Sequence, residues 1–277
     1  MKKTKQANKY TAQYTTVKKD GTPIRHLVIP DTQCKPDVFL DHMTWVGNYI
    51  VDQKPDVIIH IGDHWDMPSL SSYDTGTLGF EGRRYKKDIE AGNKGMDMLM
   101  APILAEQARQ KRNKEKVWRP RMIFTLGNHE NRITRAVNDD PKLEGLMSYA
   151  DFNLEQYGWE VLPFLQVATI DGICYAHYFT SGVMGRPVSS ARALLTKKHQ
   201  SCVMGHVQDR DIAFDKRGDG SRITGLFAGI CYQHDEEYLT LQTNGSWRGL
   251  WVLNDVQDGA FDELPVSLTY LEREHGM

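Results

Sequence analysis

Apolar, β-branched runs that stop abruptly at polar residues dominate the pattern of this chain. Val57-Ile58-Ile59-His60-Ile61 reads as a buried strand and breaks at Gly62-Asp63-His64-Trp65-Asp66. His26 to Pro30 predicts a second strand, ending at Asp31-Thr32-Gln33. Arg121 to Leu126 predicts a third, ending at Gly127-Asn128-His129-Glu130. Phe39, Leu40, Met43, Val46 and Ile50 recur at helical spacing, so residues 37–52 should form a helix. Together with the strands on either side it makes a βαβ unit, whose crossover is right-handed in nearly all cases. A turn-rich loop is expected over 67–82, then a long helix over 83–112. Gly92 and Gly95 weaken the first half of that helix, and Pro102 should kink it.

Farther along, two runs over 167–170 and 173–177 predict a hairpin through the two-residue turn Asp171-Gly172. A helix is expected over 189–198. Cys202-Val203-Met204 is a short buried strand ending at Gly205-His206-Val207-Gln208. Runs over 247–256 and 266–271 predict strands of a mostly antiparallel second half. Residues 1–24 are polar and carry Lys2, Lys3, Lys5, Lys9, Lys18 and Lys19. They read as a solvated basic tail, or a short hairpin turning at Asp20-Gly21, and leave 25–277 as a single domain.

Composition narrows the class. The chain has 277 residues, 40% hydrophobic and 25% charged, ordinary for a globular α/β domain with a sizeable core. A net charge of −2 removes any global basic field that would demand nucleic acid. A local basic run remains, from Arg109 through Lys111, Arg112, Lys114, Lys116 and Arg119 to Arg121. It reads as a helix C-terminus and solvated loop in preference to a phosphate-backbone contact. Cys34, Cys174, Cys202 and Cys231 are scattered with no C-x-x-C pair. A disulfide framework and a zinc ribbon are therefore both disfavoured, and a reducing cytoplasm is expected. No signal peptide and no bilayer-spanning run is evident, so no membrane partner is expected.

The candidate chemistry lies at the strand ends. Asp31 and Gln33, Asp63 and Asp66, Asn128 and His129, His177, then His206 and Gln208 all follow predicted strands. In open α/β sheets, ligands bind beyond the carboxyl ends of strands. A lone Asp there is usually a turn residue, and a lone His is more often structural than a ligand. Five segments ending alike argue for a shared metal site.

In order, spacing and strand context, residues 26–210 resemble the calcineurin-like metallophosphoesterases, whose pattern runs Asp-x-His, Gly-Asp-x-x, Gly-Asn-His-Glu/Asp, a single His, and Gly-His-x-His. The chain is also similar to phage-borne members labelled DNA repair exonucleases, for which the compartment would be the host cytoplasm. The resemblance implies an α/β fold, a four-layer α-β-β-α sandwich of two mixed sheets. It also implies two metal ions with Asp63 bridging, the second ion taking Asn128, His177 and His206. The first would take Asp31 and two family histidines, which here are Gln33 and Gln208. Amide oxygens suit magnesium and manganese better than zinc. The first ion is then an oxygen-ligated Mn²⁺ or Mg²⁺, an ion recruited with substrate, or absent. Mn²⁺ is the leading cofactor, with Mg²⁺, Zn²⁺, Fe or Ni²⁺ as alternatives.

By the same resemblance the chain is a hydrolase of phosphoester bonds, and a phosphodiesterase or nuclease first, with DNA or a nucleotide as partner. A phosphomonoesterase and a non-catalytic binding protein on the same scaffold are the alternatives. His129 matches the residue that protonates or positions the leaving group, with Glu130 or Asp31 orienting its ring. Asp66 is a candidate acceptor behind a ligating histidine. Arg132 and Arg186 are candidates to grip phosphate, and His64 to line the substrate pocket. Trp65 reads as a core aromatic in preference to a base-stacking platform.

Overall fold

The computed structural model describes residues 10–18, 20–72, 76, 80–236 and 245–276. Lys2, Lys3, Lys5, Lys9 and Lys19 of the basic tail, and positions 73–75 and 77–79 of the predicted loop, lie outside the described residues.

Two mixed six-stranded sheets organise the chain. The first contains β2 (His26–Ile29), β3 (Val57–His60), β4 (Arg121–Thr125), β5 (Glu160–Leu162), β13 (Gly249–Gln257) and β14 (Ala260–Ser267), in the order β14-β13-β2-β3-β4-β5. The second contains β1 (Thr11–Tyr14), β6 (Val167–Ile170), β7 (Ile173–Ala176), β10 (Cys202–Met204), β11 (Arg210–Lys216) and β12 (Arg222–Ala228), in the order β1-β6-β7-β10-β12-β11. A two-stranded ribbon, β8 (Thr180–Ser181) and β9 (Arg186–Pro187), follows β7. Strands β2, β3 and β4 are parallel neighbours, as are β7, β10 and β12.

Period-two alternation explains how the sheets stack. Val28, Ile59 and Ile123 of the first sheet meet Ile170, Tyr175, Val203 and Leu226 of the second in one core. Their neighbours Leu27, Ile58 and Phe124 point the other way, onto α1 (His42–Gln53), α2 (Tyr85–Arg112) and α5 (Leu268–His275). Cys202, Met204 and Phe227 of the second sheet pack on α4 (Ala191–Lys198). The remaining helix, α3 (Arg132–Asp139), follows the end of β4. Helices thus cover the outer face of each sheet, and the α/β sandwich of two mixed sheets is as expected. Each fully buried aliphatic or aromatic side chain contributes about 1.5–3 kcal/mol, so the inter-sheet core firmly fixes how one sheet's strand ends face the other's. Among the described residues no helix is long and apolar enough to cross a membrane.

Several expectations are corrected. Thr11–Tyr14 is not free tail: it pairs in parallel with Val167–Ile170 at the sheet edge. The helix expected over 37–52 begins at His42, and Asp37, its expected first residue, has a left-handed backbone (φ 63°). The strand expected over 266–271 ends at Ser267. That serine accepts the Tyr270 amide (3.2 Å) and starts α5, whose Leu268 and Leu271 are buried three residues apart. Helix α2 continues through Pro102. Its Gly92 is a packing requirement: a Cβ there would overlap the Trp65 indole, which stacks on Phe152 at 4.1 Å. Trp65 is a core aromatic.

Candidate metal centre

The five strand-end segments converge. Asp31 follows β2, Asp63 follows β3, Asn128 follows β4, His177 follows β7 and His206 follows β10. The first three belong to one sheet and the last two to the other, so the site spans the seam between sheets. Across it, the His206 amide donates to both Asp31 carboxylate oxygens at 3.2 Å. Asp63, His177 and His206 can each offer a ligand atom, and these atoms lie within 4.8 Å of one another.

The backbone at these ends is contorted. Gln33 (φ 37°), Asp63 (φ 48°), His206 (φ 68°) and Gln208 (φ 61°) all sit in the left-handed region. Non-glycine residues held there cost on the order of 1–3 kcal/mol and cluster at functional sites. The glycines of the motifs have a steric role as well. A Cβ on Gly127 would overlap Asp63 Oδ1, and one on Gly205 would overlap Asp31 Oδ1.

His177 is the most informative side chain. Its Nδ1 lies 2.9 Å from the Ile61 carbonyl, which can only accept, so Nδ1 carries a proton. Its Nε2 then faces Asn128 Oδ1 at 2.8 Å and Asp63 Oδ2 at 3.3 Å. In a neutral ring this would set three acceptors against one another. A second ring proton, a cation, or the Asn128 amide turned to donate from Nδ2 would relieve that opposition. Burial opposes the ring's charge, but Asp63 outweighs it and raises His177 to about 9. Against its own burial, Asp63 is held well below the usual carboxylate range by the charge of His129 first and then that of His177. His206 is lowered to about 4 by burial and the neighbouring His177 charge. Burial, with Asp63 adding to it, pushes Asp31 up to about 7. One acid kept ionised, one histidine holding an extra proton and one neutral histidine form a group that could hold a cation in place of that proton.

The amide positions divide. Gln33 is buried, and both its Oε1 and Nε2 lack a hydrogen-bond partner among the described residues. Leaving a buried amide unpaired costs about 1–3 kcal/mol, which a coordinated cation would offset. Gln208 lines the cavity in front of the site; Gln33 does not.

His129 sits beside this group. Its amide donates to Asp63 Oδ1 at 2.9 Å, and its Nδ1 lies 2.6 Å from Asp66 Oδ1. Asp66 is held down at about 2: burial opposes its charge, but the His129 bond, then Lys35 and Arg132, outweigh it. Burial likewise opposes a charged His129 ring, and Asp63 and Asp66 raise it all the same. The ring is therefore oriented by Asp66, with Nε2 toward Asp63 Oδ2 (3.7 Å) and the Arg132 guanidinium (3.3 Å).

Neither Glu130 nor Asp31 orients that ring. The buried Glu130 carboxylate accepts four amides, from Asp63 (2.9 Å), His64 (2.6 Å), Trp65 (3.0 Å) and Gly127 (2.7 Å). It ties the loop after β3 to the loop after β4. Burial raises its carboxyl, and the amide donors favour the anion; none of them could accept a carboxyl proton.

Two substrate candidates move. His64 is not on the pocket wall: it is buried, with Nδ1 2.7 Å from Thr32 Oγ1 and Nε2 2.9 Å from the Gly92 carbonyl, and burial lowers it to about 4. Arg186 is exposed on β9 and does not line the cavity. Arg132 does line it, with its guanidinium on the Asp66 and Met67 carbonyls (2.6 and 3.2 Å). The cavity measures about 930 Å³, and Lys35, Arg84 and Lys87 add cations to its wall.

Sequence reasoning missed the rim opposite Asp66. Lys35 Nζ bonds both Glu236 oxygens (2.7 and 2.8 Å) and lies 3.8 Å from Asp66 Oδ2, while His234 Nε2 lies 2.8 Å from Glu236. Lys35 stands two residues beyond Gln33, a proximity that flags it; nothing in the sequence flags Glu236. The basic run fares differently, since Arg109 is bound to Glu106 and Glu115. No protein-family model and no curated protein matches this chain, and the site is read from its own geometry.

Proposed function

We propose that the chain is a metal-dependent phosphoesterase of the calcineurin-like kind, acting on phosphodiesters. The observation that carries this reading is the set of acceptors around His177 Nε2, supplied by strand ends from both sheets beside a cavity lined by acidic and basic side chains. Asp63, Asn128, His177 and His206 would hold one divalent ion. Asp31, Gln33 and Gln208 would hold a second, oxygen-rich one, for which Mn²⁺ is the best match. When bound, such ions supply Lewis acidity, lowering the pKa of water and neutralising charge on phosphoryl oxygens.

The chain's own residues do the rest. Asp66 accepts from His129 Nδ1 and the Arg132 guanidinium donates toward Nε2; if Nε2 takes up a proton in place of that bond, it would be suited to pass that proton to a leaving oxygen. Arg132, held by the two carbonyls of residues 66 and 67, adds positive charge beside that proton. The cavity volume, with Arg84 and Lys87 on its wall, leaves room for a substrate extending beyond one phosphate, such as a nucleotide or a nucleic-acid strand, whereas Lys35 is already paired with Glu236. The basic run lends no support, since Arg109 is paired and none of the run lines the cavity.

The test compares a chromogenic bis-ester, a chromogenic mono-ester, and single- and double-stranded DNA, each with Mn²⁺. Bis-ester or DNA cleavage that disappears in Asp63→Asn supports the reading. Mono-ester cleavage alone makes the chain a phosphomonoesterase. No turnover with Mn²⁺, Mg²⁺, Co²⁺ or Zn²⁺ makes it a binding protein on the same scaffold.

A further inference from the structure

Two of the four scattered cysteines are neighbours in space. Cys174 and Cys202 stand in register on the parallel strands β7 and β10. Both side chains point away from the inter-sheet core, as their successors Tyr175 and Val203 face into it. That register puts the two thiols on the same face of adjacent strands, and Thr169 Oγ1 lies 3.4 Å from Cys174 Sγ. Cys202 is buried under α4, while Cys174 is partly exposed. Cys34 and Cys231 are both buried.

Adjacent strands run about 4.8 Å apart, inside the Cα separation that a disulfide spans. The Cβ atoms of a disulfide average about 3.8 Å apart, so closing one here would draw β7 and β10 together locally. The consequence lies two rungs along the ladder. Met204 pairs with Ala176, the Gly205 amide donates to the His177 carbonyl at 3.0 Å, and His206 follows. The strands carrying the cysteines therefore deliver His177 and His206.

We propose that Cys174 and Cys202 form a redox modification site that takes a low-molecular-weight disulfide as its reagent and weakens ion binding at His177 and His206 when it closes. The mechanism of formation is thiol–disulfide exchange. The Cys174 thiolate attacks one reagent sulfur, breaking its S–S bond and releasing one thiolate. Cys202 loses its proton and attacks the sulfur of Cys174, forming the intrachain bond and releasing the second thiolate. Two protein thiols are oxidised, one reagent disulfide is reduced to two thiols, and two protons pass to solvent and the leaving thiolates. The neighbouring Cys202 lowers the Cys174 thiol to about 7, which supports its part as the attacking sulfur. The effect on ion binding rests on the metal-site reading; formation of the disulfide does not.

The full chain is equilibrated with oxidised glutathione, quenched by acid, and measured by intact mass and peptide mapping. Mn²⁺ affinity is then measured by calorimetry on the reduced and oxidised forms. The expected result is a loss of about 2 Da, a single Cys174–Cys202 cross-linked peptide, and Mn²⁺ binding weakened roughly tenfold or more and restored by dithiothreitol, the scale set by outer contacts of metal ligands. Cys174→Ser and, independently, Cys202→Ala should show neither the mass loss nor the affinity change. An unchanged mass, a cross-link elsewhere, or equal affinity in both forms overturns the proposal. If the reduced chain binds no Mn²⁺ while the cross-link still forms, it is the metal-site reading that fails, and the coupling with it.

Discussion

Glu130→Gln is the substitution that most sharply tests how the loops carrying the site are held. The wild-type carboxylate accepts Asp63 and Gly127 amides on Oε2, and His64 and Trp65 amides on Oε1. Glutamine keeps the shape but turns one of those oxygens into an NH₂ group. Whichever way the amide is placed, two buried N–H donors lose a charged acceptor and face another donor. Hydrogen bonds to charged groups are worth about 1.5–3 kcal/mol each, so two lost give about 3–6 kcal/mol. That is a large share of the ~5–15 kcal/mol that separates a typical native state from its unfolded chain. The assay is urea unfolding at pH 8, followed by circular dichroism and tryptophan fluorescence, with Trp65 close to the altered bond. The midpoint should fall with the slope nearly unchanged. A loss under about 1 kcal/mol would refute the view that one carboxylate ties the loops after β3 and β4 together.

Four further outcomes are expected. In the metal-free chain at neutral pH, His177 holds a proton that an ion must displace; its pKa is raised, so Mn²⁺ affinity should rise about tenfold per pH unit up to about 9, with proton release visible as a buffer dependence of the binding enthalpy. By the same sign, the stability that His177 gives the metal-free chain is complete below about 6.5 and lost as pH rises through about 9, which thermal melts across that window should register. Asp66→Asn removes the charged acceptor from His129 and should cut phosphodiester hydrolysis by about 10²–10⁴ while leaving Mn²⁺ affinity within a few fold, a split seen by pairing kinetics with calorimetry. Gly92→Ala puts a methyl group into the Trp65 indole and should cost about 1–3 kcal/mol in urea unfolding, against the usual helix-stabilising effect of alanine.

The strands that carry the site were legible because each pairs β-branched or apolar residues with an abrupt polar stop. Cys202 to Met204 begins and ends where the pattern places it, and Val57 to His60 begins there and stops one residue short of the expected Ile61. Asp171-Gly172 marked its hairpin because both residues adopt the left-handed backbone that a two-residue turn requires. Local pattern could not reveal what depends on distant partners. Thr11–Tyr14 looks like tail because an edge strand needs only backbone from Val167–Ile170. His64 seemed to belong to the site because it follows Asp63; the turn sends its ring into the core, against Thr32 and the Gly92 carbonyl. Glu130 looked like a helper of His129, but its oxygens face backbone amides, which carry no sequence signature. The same holds for Lys35 with Glu236, 201 residues apart, and for the cysteine pair on β7 and β10.

The most direct test of the central claim is anomalous diffraction from crystals of the chain grown with Mn²⁺. A peak at coordination distance from Asp63 Oδ2, His177 Nε2 and His206 is the predicted result, with the His177 Nδ1 bond to the Ile61 carbonyl retained. Crystals that take up Mn²⁺ elsewhere, or show no peak among these three side chains at saturating ion, would contradict it.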